Sequence, residues 1–405
     1  MKVPTTGRVV IIDDSHEEAL PLIHLLSHHG ISSRYYNGDP DLLPLQPLEG
    51  VRIVFLDIEI GTYGQDNKSK VSKILGVLNR VIGASSTPFI IIAWTKHTEL
   101  LEEVISKLPV PPLKTLNMEK IDCKDQEGNY RIDLISAKLT DIMQDIGSFQ
   151  ALLLWEEIIH QAANLTINDS YQLSNPQGNE WDENMQNILY NLAKAQQGTQ
   201  LKEHVLGPAL RAFTGIYFDY IEKSLLNNSL LEDNAGLNFK NKNRLSPEVM
   251  SSINSKLLFS KVESREVTPG NVYINDRTKL DLSLLVTKFE EIKAEWDTPQ
   301  FIILEVTPTC DYAQDKWQLS RMLPGVFVPL KYLKNVKRAD YVFISQLIQF
   351  NRDIGSLVFD LRYLTTRNFE DVAKMLPLFR IRHPFLVDIQ SKVAGHIARP
   401  GYFAL

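Results

Sequence analysis

Three short, mostly apolar runs near the N-terminus each end in residues able to handle a charged ligand, and this arrangement narrows the fold more than any other feature. Val9-Val10-Ile11-Ile12 ends in Asp13-Asp14. Val51-Arg52-Ile53-Val54-Phe55-Leu56 ends in Asp57. Pro88-Phe89-Ile90-Ile91-Ile92-Ala93 ends in Trp94-Thr95. Strands buried on both faces read as continuous apolar runs. Helical patterns lie between them. His16 to His29 carries Leu22, Ile23 and Leu26 on one face and meets a stop signal at Gly30, and Val71 to Val81 is similar. Strands alternating with helices predict βαβ units and a parallel sheet. In such a sheet the ligand crevice lies at the carboxyl ends of the strands.

Asp13, Asp14, Asp57 and Thr95 would bring hard oxygen donors to that crevice, a set suited to Mg²⁺. A plainer reading stands beside this one. An acidic pair after a strand also serves as a solvated turn, and Asp14 or Ser15 can cap the following helix. A single Asp after a strand is common in any α/β protein.

Taken in this order, the residues resemble the receiver domain of two-component response regulators, over about the first third of the chain, residues 1–147. The resemblance implies a flavodoxin-like α/β fold with a parallel five-stranded sheet. It implies that Asp13 and Asp14 are a metal pair, that Asp57 accepts a phosphoryl group from a histidine kinase, and that Mg²⁺ is the cofactor, held by Asp13, Asp14 and Asp57. It further implies Thr95 as the hydroxyl and Lys120 as the lysine that contacts the phosphoryl oxygens, with Lys114 as runner-up. The chain departs from the family in three places. The usual Lys-Pro signature is absent, and Leu116-Asn117-Met118-Glu119-Lys120 is the nearest candidate. Counting from Pro88, a standard receiver places the hydroxyl at Ala93 rather than Thr95. The polar stretch Gly61 to Lys70 reads as an expanded loop. These departures mark a divergent branch.

The chemistry asks for these residue types. An aspartate attacks phosphorus when a cation neutralises the charge gathering between anions. Phosphoryl transfer otherwise needs mainly positioning and charge stabilisation, which a fixed lysine supplies. Phosphorylation adds nearly two negative charges, enough to bias a bistable surface.

A chain of 405 residues has room for two or three domains. Its net charge of −6 gives no reason to expect nucleic acid as a partner. No apolar run is long enough to cross a bilayer, so no membrane partner is expected. The polar residues after Met1 predict no signal peptide. Cys123 and Cys310 are the only cysteines, which argues against a disulfide framework and fits a reducing cytoplasm.

Residues 148–243 read as a helical region. Phe149 to Ala163 and Met185 to Ala195 are helical, Asn164 to Glu183 is a loop, and Leu201 to Leu226 is a long helix with a bend at Gly207-Pro208. These helices suit an ordinary core or a homodimer interface. Asn227 to Asn243 is a polar linker. Residues 244–405 read as a β-rich α+β domain. Its strands are at Val267–Ile274, Phe301–Val306, Gly325–Leu330, Tyr341–Ile344 and Ser356–Leu361, before a closing helix at Pro384–Ile397 flanked by Arg380, Arg382 and Arg399. Thr307-Pro308-Thr309-Cys310-Asp311-Tyr312-Ala313-Gln314-Asp315-Lys316 resembles a strand-end element of uncharacterised bacterial proteins, as does Arg399-Pro400-Gly401, and this likeness transfers no activity. Cys310 can be a nucleophile only beside a base or cation. The bland alternative is a small buried residue next to an Asp that caps a turn. Two cysteines outside close pairs do not make a structural zinc site. Walker, His-Glu-x-x-His, Gly-x-Ser-x-Gly and helix-turn-helix signatures are absent.

The expected function is cytoplasmic two-component signalling with a non-enzymatic output half, relaying phosphoryl groups or buffering them. The partners would be a histidine kinase and another receiver or effector protein. Receivers joined to atypical output regions occur in bacterial conflict systems, including defence against phage. The alternatives are a receiver-switched enzyme with a site near Cys310 and Asp311, and a pseudo-receiver that binds a partner without phosphorylation.

Overall fold

The computed structural model describes residues 8–61, 66–83, 86–95, 100–144, 146–197, 205–227, 244–262, 264–275, 280–296, 298–308, 311 and 318–398. The chain divides into two compact units, Met1–Asn164 with Tyr220–Asn238, and Leu165–Asp219 with Phe239–Leu405. No helix among the described residues is long and apolar enough to cross a membrane.

The first unit holds the expected parallel sheet. Its strands are β1 (Val9–Ile12), β2 (Ser33–Tyr36), β3 (Ile53–Leu56), β4 (Ile90–Thr95) and β5 (Lys114–Glu119), in the order β2-β1-β3-β4-β5 and all parallel. Helices α1 (His16–His28), α2 (Asn67–Val81), α3 (Leu101–Ser106) and α4 (Ile132–Gln144) follow β1, β3, β4 and β5 respectively. A further helix, α5, runs Gly147–Leu173. The alternation of strand side chains sorts the core into two layers. Val10, Ile12, Val54, Leu56 and Ile91 pack with Val71, Ile74 and Leu78 of α2 and Val104 of α3. Val9, Ile11, Phe55, Ile92 and Trp94 pack with Leu22 and Leu26 of α1, Ile135 of α4 and Phe149 of α5. Both faces are covered, which is why the strands read as unbroken apolar runs. Arg52, the one charge in the second run, sits just before β3 and donates to both oxygens of Glu156 on α5, at 3.1 and 3.2 Å.

Ser15 caps α1, its hydroxyl accepting from the Glu18 amide at 3.3 Å. Gly30 follows the helix with φ +70, a conformation glycine adopts without strain. Asp66 caps α2 by accepting from the Ser69 amide at 3.2 Å. Asn67 to Lys70, read from sequence as loop, therefore belong to a helix. The polar composition marks an exposed first turn.

A second correction concerns Asn164 to Leu173, which continue α5 instead of forming a loop. The polar side chains there are accommodated within the helix, Ser170 donating to the Thr166 carbonyl at 2.7 Å. The helix stops before Asn175, which has φ +54 and precedes Pro176, where the residue before a proline resists the α conformation. Pro208 causes no break because it lies in the first turn of the helix Leu206–Asn227, where a missing amide is harmless.

The second unit is built on a separate curled antiparallel sheet. It comprises β6 (Phe259–Ser260), β7 (Asn271–Ile274), β8 (Gln300–Glu305), β9 (Leu319–Pro329), β10 (Val342–Ile344), β11 (Ile348–Phe350), β12 (Asp353–Asp360), β13 (Thr365–Asn368) and β14 (Pro377–Ile381), in the order β10-β12-β9-β8-β7-β14-β6 with β11 on β12 and β13 on β9. Leu386, Ile389 and Val393 of the closing helix His383–Ile397 join a core with Leu304, Leu323, Phe327 and Phe359. The sheet demands a glycine at Gly355. A methyl there would meet the Val328 carbonyl oxygen and stand 2.6 Å from Phe327 Cζ. Gly355→Ala is expected to cost about 1–3 kcal/mol by overpacking, read as a lower urea midpoint. An unchanged midpoint would mean that β12 and β9 are not paired in this register.

Candidate functional site

Register decides what meets at the carboxyl ends of the parallel strands. Ile12 pairs with Leu56 and Leu56 with Ala93, so Asp13, Asp57 and Trp94 continue three neighbouring strands at one level. The Asp57 amide donates to the Ile12 carbonyl at 2.8 Å, and the Asp13 amide donates to the Tyr36 carbonyl at 3.1 Å. These bonds fix both backbones. Carboxylate oxygens of Asp13, Asp14 and Asp57 all lie within 4.8 Å of one another. Asp13 is fully buried, Asp57 is 6% exposed and Asp14 faces solvent.

Backbone donors orient each carboxylate. Asp13 Oδ1 accepts from the Ser15 amide at 2.9 Å, Asp57 Oδ1 from the Glu59 amide at 3.1 Å, and Asp14 Oδ2 from the Gly61 amide at 2.6 Å. Lys120 begins a short 3₁₀ turn, Lys120–Cys123, directly after β5. Its ammonium is buried and lies 2.6 Å from Asp57 Oδ2, 2.8 Å from Asp13 Oδ2 and 2.6 Å from Glu18 Oε2. The Asp13 contact is an ion pair without hydrogen-bond alignment, which leaves that buried oxygen with no hydrogen-bond partner among the described residues. Burial pushes the Asp13 carboxyl up to about 6, against the pull of Lys120 and with help from the Asp57 charge. Burial also acts to lower the Lys120 pKa, but Asp57 and Asp13 outweigh it and hold the ammonium above its ordinary value.

The structure thus brings Asp13, Asp14, Asp57 and Lys120 together. Lys114 opens β5, roughly 17 Å along the strand from its far end. Thr95 closes β4, is fully buried, and pairs with Glu119, the residue before Lys120. Cys310 lies outside the described residues, as do Arg399 to Gly401. Asp311 is described: its amide donates to the Pro308 carbonyl at 3.1 Å and its carboxylate lies 3.7 Å from Arg321, as a turn residue would.

Sequence reasoning missed two contributors. Glu18 stands four residues after Asp14, on the first turn of α1, and that helical spacing was its available signal. Tyr130 gave none. Its ring packs 5.8 Å from Trp94 with the Lys124 ammonium 4.4 Å above it, and its hydroxyl and the Trp94 indole nitrogen are buried without a hydrogen-bond partner among the described residues. Burial and the nearby Glu18 charge raise the Tyr130 pKa.

The donor set fits a small hard dication. Three carboxylates supply oxygens, Asp13 Oδ2 is buried with no hydrogen-bond partner among the described residues, and Asp14 faces the solvent from which Mg²⁺ keeps several of its ligands.

No family model matches the chain. No curated protein matches it. Among solved structures it is similar to a trimeric coiled-coil segment of yeast Spc42 (amino acids 181–211) fused to another structure, at 15% identity and a TM-score of 0.20, over 40% of this chain and 98% of that one. Overlap this low carries no argument about fold or function.

Proposed function

We propose that the chain is a response-regulator-type signalling protein in which Asp57 accepts a phosphoryl group from a histidine kinase. The observation that carries this reading is the buried Lys120 ammonium within 2.8 Å of both Asp13 and Asp57, beside a carboxylate cluster that suits Mg²⁺. The strand order supports it, because the crevice falls where that order reverses, between β1 and β3. A carboxylate oxygen of Asp57 attacks the phosphorus of a phosphohistidine. The P–N bond breaks, the imidazole keeps the electron pair and takes up a proton, and an acyl phosphate forms on Asp57. Asp13, Asp14 and Asp57 would hold Mg²⁺, which supplies charge neutralisation between the approaching anions. Lys120 supplies a fixed cation next to the new phosphoryl oxygens, and Thr95 is the candidate hydroxyl donor. The second unit is the output or partner-binding part, in a cytoplasmic pathway that relays to, or is buffered against, another receiver or effector, with phage defence as one setting.

Acetyl phosphate with Mg²⁺, followed by intact mass, tests the reading. One phosphate adduct is expected on the wild type and none on Asp57→Asn. A wild type that stays unmodified, or an adduct that survives in Asp57→Asn, would return the site to a binding role without phosphorylation.

A further inference from the structure

We infer that Glu18 is an internal competitor for Lys120 that phosphorylation displaces, so that the chemical state of Asp57 is converted into a charge presented at the start of α1. The inference rests on the reading of Asp57 as phosphoacceptor. It starts from donor counting. An ammonium has three N–H bonds. Two of them go to Asp57 and Glu18 as hydrogen bonds at 2.6 Å, and Asp13 Oδ2 crowds the third side at 2.8 Å as an ion pair, so three carboxylate oxygens already surround the ammonium in the unmodified protein.

A phosphoryl group on Asp57 brings further oxygens and a larger negative charge to the same ammonium. One of the three carboxylates must then give way. Asp57 itself carries the new group. Asp13 is fully buried, and its other oxygen is held by the Ser15 amide at 2.9 Å. Glu18 alone combines a long side chain with partial exposure, that side chain being 25% exposed against 0% for the Asp13 side chain and 9% for the Asp57 side chain. It also has somewhere to go. It lies in the first turn of α1, where the unsatisfied amides of the helix favour a carboxylate. Glu18 is therefore a positioning residue. It holds Lys120 between Asp13 and Asp57 at rest, its charge opposes entry of the phosphoryl group, and on release it alters the surface that α1 offers to a partner.

The experiment is a titration of full-length protein with acetyl phosphate at saturating Mg²⁺, with adduct measured by intact mass. Glu18→Gln keeps the length and an accepting oxygen but removes the charge. It should lower the half-saturating acetyl phosphate concentration about fivefold to tenfold, a coupling of the size found between linked sites. Glu18→Asp keeps the charge and should stay nearer the wild type. A second readout needs no variant. Carbodiimide–amine labelling of the Glu18 carboxylate should rise when Asp57 is phosphorylated. If the wild type forms its adduct on Asp57 while Glu18→Gln titrates identically and Glu18 labelling does not change, the competitor role is wrong and the phosphoacceptor reading stands. If the wild type forms no adduct, the phosphoacceptor reading fails first and takes this inference with it.

Discussion

Lys120→Met should lower the unfolding free energy by about 3–5 kcal/mol at pH 8 without Mg²⁺, because the substitution leaves buried carboxylates uncompensated. The Met side chain fills similar space, so the loss reports charge rather than volume. Asp13 and Asp57 are 0% and 6% exposed and face the same ammonium. Without it the Asp13 carboxyl, which burial already raises to about 6 against the pull of Lys120, would be held protonated to still higher pH in the fold. A group with a raised folded-state pKa gives stability at low pH that is lost as pH rises, so the penalty should shrink at pH 5 and grow toward pH 8. The Mg²⁺ proposed for this site would bind the folded state and so restore part of the loss by mass action. Urea unfolding of the wild type, Lys120→Met and Lys120→Arg at both pH values measures all of this. A Met variant within about 1 kcal/mol of wild type at pH 8 would mean that the carboxylates do not share Lys120 as their counter-charge.

The second large effect belongs to the other unit. Glu305 ends β8 with a fully buried side chain. Its Oε1 accepts from the Thr307 amide at 3.0 Å and from the Thr307 hydroxyl, while Oε2 has no hydrogen-bond partner among the described residues. Burial pushes its carboxyl from 4.5 up to about 7, against the hydrogen bonds from Thr307. Below the ordinary glutamate value both states hold the proton. As pH rises toward 7, the unfolded chain releases it first, and stability falls. Once the folded carboxyl has also ionised the curve flattens. The size is about 3 kcal/mol, from roughly 1.4 kcal/mol per pH unit of displacement. Glu305→Gln removes this titration, so wild type and variant should differ by that amount more at pH 8 than at pH 4.5. Subtracting the two urea series cancels the contribution of Asp13, which titrates in the same region. Parallel series would show that Glu305 is not held neutral by its surroundings.

Both sites bear on what can be read from residues alone. The three apolar runs announce the central strands because burial on two faces leaves no room for alternation. They miss β2, whose Ser33-Arg34-Tyr35-Tyr36 is half-buried along its length at the sheet edge. Asparagine and serine content misled at α5, where side chains bond within the helix rather than ending it. At the site, Asp13, Asp14 and Asp57 were legible because they lie within two residues of the end of an apolar strand. Lys120 and Lys114 were both on offer, and only the extent of β5 separates them. Nothing in the local pattern marks Tyr130, and Glu305 looks like the polar end of any strand.

The order of residues by itself determined the parallel sheet, the capped start of its first helix and the three acids at its rim, since each depends on burial or hydrogen bonding within about one turn or strand. Tertiary structure alone decided that Lys120 meets Asp57 across 63 residues and Glu18 across 102. The physical reason is that periodicity records which face of an element is covered, whereas pairing between distant charges depends on how neighbouring strands are aligned, and no short stretch of chain carries that alignment.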